Sequence, residues 1–160
     1  MAVAARTLIL GLGNPLRGDD GVGPRVVAEL AGIRLPAHVA ALDAGTAGLT
    51  LLDLLDGPER VIVVDAADMG RAPGEVVRFT PEEGRLLASN FTPHAMSLAE
   101  ALELAQVLGR RLPQITILGV QPASLEWRAG LSPAVAAALP AVIETVLQEV
   151  RLAEGADNVS

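Results

Sequence analysis

The 160-residue chain has no cysteine and no lysine. Without cysteine it can form no disulfide and no thiolate zinc site, and it has no cysteine nucleophile. All 12 basic residues are arginine, and 19 acidic residues leave a net charge of −7. That balance argues against sequence-independent nucleic-acid binding, which depends on neutralising phosphates. Aromatic residues make up only 2% of the chain, so its core must be aliphatic. No stretch approaches the roughly 18 uninterrupted apolar residues of a membrane span. The first residues carry a short apolar run but no basic segment with a cleavable small-residue site. The expectation is a soluble cytoplasmic monomer that engages neither membrane nor nucleic acid.

Hydrophobic residues form 51% of the chain. One domain of about this size buries roughly 70% of its unfolded surface. A single α/β domain is expected over residues 1–153, with 154–160 as a frayed polar tail.

The most informative stretch is 7–24. Thr7 to Leu12 reads as a short buried strand, since a compact apolar run ends at glycine. Five glycines then punctuate a loop that holds two adjacent carboxylates, Asp19 and Asp20. Pro24 suits the first turn of a helix whose apolar face is Val22, Val26, Val27 and Leu30. Either acid could simply cap that helix and favour its positive end. A dinucleotide-binding loop would need its third glycine at position 16, which is Leu16, and two carboxylates would repel a pyrophosphate.

Further along, Val39 to Leu42 forms a second strand ending at Asp43, and Leu49 to Leu55 a short helix. Val61 to Val64, four consecutive β-branched residues, is the pattern of a strand covered on both faces, and it ends at Asp65. Glu75 to Phe79 follows too closely for a crossover helix, so it should be antiparallel or at an edge. Residues 80–93 read as irregular. A helix runs from Ala95 to Leu108, a strand from Ile115 to Val120, and a loop from Gln121 to Leu131 with the only tryptophan, Trp127. Ser132 and Pro133 open a last helix as N-cap and first residue. It keeps helical spacing to about Leu152, and Pro140 should kink or divide it.

Strands alternating with helices imply a three-layer α/β/α sandwich around a mainly parallel, twisted five-stranded sheet with one antiparallel strand. Ligands of such sheets bind beyond the carboxyl ends of the strands, where strand order reverses. That rule gathers Asp20, Asp43 and Asp65. His94, after Thr92-Pro93 at the mouth of a helix, completes the set, while the other histidine, His38, sits in a polar turn and should be solvated. Two carboxylates and an imidazole make an open site for a divalent transition metal, with zinc, nickel or manganese admissible. No serine lies in a Gly-x-Ser-x-Gly elbow, which leaves a serine hydrolase without support.

The opening Gly-Leu-Gly-Asn-Pro is also similar to that of peptidyl-tRNA hydrolases, but Arg17-Gly18-Asp19-Asp20 stands where that family supplies its catalytic histidine segment. Over residues 7–150 the chain resembles the hydrogenase maturation proteases. The motifs are Gly11 to Gly23, Asp43-Ala44-Gly45-Thr46-Ala47-Gly48, Val63-Val64-Asp65-Ala66 and Thr92-Pro93-His94, with Gly119-Val120-Gln121-Pro122 and Gly130-Leu131-Ser132 behind them. The resemblance implies an endopeptidase that removes the C-terminal extension of a nickel-loaded nickel–iron hydrogenase large-subunit precursor. The nickel is carried by the substrate at a Cys-x-x-Cys site and is read as a checkpoint. Asp20, Asp65 and His94 carry over as the metal-contacting and catalytic triad, Asp20 standing where some members have glutamate. Gly13, Asn14 and Asp43 are the further binding positions, Asp43 helping to shape the site. The alternatives are a non-catalytic metal-sensing chaperone of the same fold and a peptidyl-tRNA hydrolase-like esterase.

Overall fold

The computed structural model describes residues 5–46, 50–86 and 93–157. Five strands form one sheet: β1 (Thr7–Leu12), β2 (Val39–Gly45), β3 (Arg60–Ala66), β4 (Val76–Phe79) and β5 (Gln114–Val120). Their order is β2-β1-β3-β5-β4. The first three pairings are parallel, and β4 closes the edge antiparallel to β5, as its short connection requires.

Side-chain alternation along the strands builds two cores. Ile9, Ile62, Val64, Leu118 and Val120 face α1 (Val22–Leu30) and α5 (Pro133–Asp157). Leu8, Leu10, Val61, Val63, Ile115 and Ile117 face the other way, against Leu51 of α2 (Thr50–Leu54) and Leu98 and Leu102 of α4 (Pro93–Val107). A sheet apolar on both faces must be covered on both, and the result is the expected α/β/α sandwich.

Between β1 and α1 the chain makes a single 3₁₀ turn, Gly18–Gly21. Two glycines let it close tightly over the strand ends. Gly13 has φ +133°, and a Cβ there would fall on the carbonyl oxygen of Asp20. A Cβ on Gly23 would collide with the carbonyl oxygens of Leu12 and Val64, so the first turn of α1 rests directly on the ends of β1 and β3.

Neither acid of that turn caps α1, whose N-cap is Gly21 with no side-chain bond. Asp19 instead reaches across the molecule. Buried to 1%, it accepts the N–H groups of Ala123 (2.8 Å), Ser124 (3.2 Å) and Ser132 (2.7 Å) and the Ser132 hydroxyl (2.8 Å). Ser132 in turn caps α5, its Oγ accepting from Val135 N at 3.4 Å. One carboxylate thus ties the loop after β1 to the loop after β5 and to the start of α5.

Four elements differ from the sequence reading. β2 does not stop at Asp43 but runs to Gly45, with one extra residue bulged opposite the Gly11–Leu12 step. A short helix, α3 (Pro81–Leu86), occupies the start of the stretch read as irregular. Thr80 opens it, its Oγ1 accepting from Glu83 N at 3.3 Å while donating to Glu83 Oε1 at 3.2 Å, a near relative of the capping box. Residues 87–92 lie outside the described residues. His38 is not merely solvated, since its Nε2 lies 3.2 Å from Glu154 Oε1 near the end of α5.

The fourth difference is α5 itself. Pro140 does not divide it, and the helix continues to Asp157, into the stretch expected to fray. The stripe Val135, Leu139, Val142, Val146 and Val150 is buried against the sheet on both sides of the proline, and that packing outweighs one missing backbone bond. Among the described residues α5 is the one helix long and apolar enough to cross a membrane by length and composition, and this stripe is what it buries in the core.

Pro140 is exposed, so Pro140→Ala should stabilise the protein by about 2 kcal/mol and raise its melting temperature by about 4–8 °C, read by calorimetry. Asp19→Ala removes the buried acceptor of three backbone N–H groups at once and should cost about 3 kcal/mol or more in a denaturant titration.

Candidate active site

The strand order changes direction between β1 and β3: from β1 the chain steps outward to β2 on one side, while β3 lies on the other. The carboxyl ends of these two strands therefore flank the crevice where an open parallel sheet takes its ligands. Each side supplies an acid. Asp20 sits in the 3₁₀ turn after β1, 2% exposed, and its Oδ2 accepts Asn14 N at 2.9 Å. Asp65 is the penultimate residue of β3, 3% exposed, in register with Gly119 of β5. The 3₁₀ turn lies against β3, and Gly23 touches the carbonyl next to Asp65, so the two acids lie at the same end of the sheet.

His94 lies in the first turn of α4, and its side chain falls outside the described residues. Among the described residues no three of histidine, aspartate and glutamate approach as a metal-binding group. Asp43, the third strand-end acid, belongs to a different strand from Asp65. It stands on β2, which β1 separates from β3 by two strand spacings, about 10 Å. Its carboxylate is exposed and accepts Gly45 N at 2.8 Å, closing a turn of its own backbone.

Gly13 and Asn14 hold the loop together. Gly13 N donates to Gly45 O at 3.0 Å, and Asn14 Oδ1 accepts Leu16 N at 2.9 Å. Asn14 bears on the site through its backbone, which holds the Asp20 carboxylate in place.

A residue singled out only through its motif is Gln121, 6% exposed at the end of β5. Its Oε1 accepts Met69 N (2.7 Å) and Arg71 N (3.2 Å), and its Nε2 donates to Asp68 Oδ1 (3.1 Å). Its backbone oxygen takes Gly74 N at 2.8 Å. One amide side chain thus gathers the connection that leaves β3 just after Asp65. A lone glutamine after a strand carries no sequence signal for this work.

Known proteins are similar to this chain in sequence and fold. The family model described as hydrogenase maturation protease matches residues 24–149. The hydrogenase 2 maturation protease of Escherichia coli is 37% identical over 149 residues, spanning 91% of each chain. The hydrogenase expression/formation protein HupD of Rhodobacter capsulatus is 37% identical over 150 residues, covering 91% of this chain and 71% of its own. Among solved structures, the hydrogenase maturating endopeptidase HybD from E. coli superposes with a TM-score of 0.84 at 36% identity, covering 92% of this chain and 93% of that one. The [NiFe] hydrogenase maturation protease HybD from Thermococcus kodakarensis gives 0.75 at 31% identity, covering 89% and 97%. This chain, with its paired acids at the switch point, belongs to the hydrogenase maturation proteases and is a peptidase of hydrogenase maturation.

Proposed function

We propose that the protein cuts a C-terminal extension from a nickel–iron hydrogenase large-subunit precursor after that precursor has received its nickel, and that Asp20, Asp65 and His94 read the metal. The observation that carries the proposal is the pair of buried carboxylates at the β1/β3 crevice. Carboxylate oxygens at the ends of neighbouring strands are ligands that a divalent cation takes. The substrate's nickel is such a cation. Precursor without nickel lacks this contact, so the loaded form alone is bound in a reactive pose.

In this reading Asp20 and Asp65 are the groups that meet the metal-bearing segment, and either can take a proton from water during hydrolysis. The Asn14 amide and the Asp19 anchor fix where Asp20 stands before the precursor arrives. The same proposal has the protein act in the cytoplasm as a monomer, away from membranes and nucleic acids, and a net charge of −7 favours the last point.

The test is cleavage of nickel-loaded precursor by Asp20→Asn, Asp65→Asn and His94→Ala. Each should lose about a hundredfold or more in rate, with circular dichroism unchanged. A His94→Ala protein that cuts like the wild type sinks the triad. Wild-type protein that binds loaded precursor without ever shortening it would make the chain a metal-sensing chaperone.

A further inference from the structure

The single tryptophan of this aromatic-poor chain is on the surface: Trp127 is 73% exposed. Large aromatic side chains supply core burial first, so a solitary exposed one points to a contact surface. It is not alone. The Arg17 guanidinium lies 5.4 Å from the centre of its ring, and Leu16 beside it is 61% exposed. These three side chains come from loops more than a hundred residues apart, yet their backbones are bonded together. Arg128 N donates to Leu16 O and Gly18 N to Arg128 O, both at 2.8 Å, with Asp19 locking the base. The patch is therefore preformed, which lowers the entropic cost of binding.

Next to it runs a groove of about 380 Å³ lined by Pro15, Leu16, Pro24 and Leu131. Gly18 and Gly21, the two ends of the turn that holds Asp20, form part of the same wall, so groove and crevice share one loop. The charges of the neighbouring patch are unbalanced. Arg6, Arg25, Arg78 and Arg151 each have a glutamate partner. Arg17 and Arg128 form no ion pair among the described residues, in a protein whose net charge is strongly negative.

We propose that this groove receives the precursor segment next to the bond that is cut. An apolar side chain seats against Leu16, Trp127 and Leu131, and a carboxylate meets Arg17 or Arg128. The inference rests on the endopeptidase reading above and assigns the surface that chooses the partner.

The single indole N–H is a built-in reporter. ¹⁵N-labelled protein is titrated with unlabelled nickel-loaded precursor, beside steady-state cleavage and melting of Trp127→Ala and Leu16→Ala. The indole resonance should shift before the backbone amides of α4 do. Each variant should raise KM about tenfold and leave kcat within about twofold, with the melting temperature unchanged. If the wild type cuts the precursor while the indole stays put and both variants keep the wild-type KM, the groove proposal falls and the endopeptidase stands. If the wild type neither binds nor cuts, both fall together. Self-association that is lost in Trp127→Ala, with KM unaltered, gives the surface to a second copy of this chain and overturns the precursor as its occupant.

Discussion

The Asp19 carboxylate accepts four hydrogen bonds, and the loop after β1, the loop after β5 and the start of α5 all depend on it. A buried charge is costly unless its lone pairs are filled. Here three backbone N–H groups and a hydroxyl fill them, and charge-assisted bonds of this kind are about twice as strong as neutral ones. The constraint is long-range: residue 19 is joined to residues 123, 124 and 132. Asp20 inherits its position from that junction. The exposed Leu16, Arg17 and Trp127 patch lies beside the same junction, its two halves joined by backbone bonds between Leu16, Gly18 and Arg128.

Adjacent acids therefore have different tasks, and the reason is geometric. In a 3₁₀ turn successive side chains point about 120° apart. Asp19 turns toward α5, and Asp20 toward the Asn14 amide at the ends of the strands. The dipeptide itself shows no such difference, so the sequence left both open as caps of α1. Much of the frame was legible by contrast. The β-branched run Val61–Val64 announced a strand covered on both faces, and the short link before β4 announced its antiparallel edge position. Ser132-Pro133 marked the start of α5. Other misreadings have equally local causes. Thr80-Pro81-Glu82-Glu83 carried a helix-start pattern that went unused, and Pro140 was given more weight than a valine stripe buried on both sides of it.

Set side by side, the two faces of the glycine loop describe one device. Its inner side holds the buried Asp20 near the carboxyl ends of β1 and β3, and its outer side forms the wall of an apolar groove. An endopeptidase that must recognise a folded partner needs both a site for the reacting bond and a surface that sets the register of the chain being cut. Building both on one rigid turn makes their spacing independent of side-chain rotamers. That economy fits relatives that match this chain over nine-tenths of its length, since the loop, the strand ends and the α5 start lie far apart in sequence and must be kept together.

The central claim is that buried carboxylates make cutting conditional on the partner's metal. Intact-mass spectrometry of one precursor preparation, split into nickel-loaded and nickel-free halves and incubated with the wild-type protein, tests it most directly. The account predicts that the loaded half alone loses a C-terminal peptide. Equal shortening of both halves would contradict it, leaving a protease that does not read the metal.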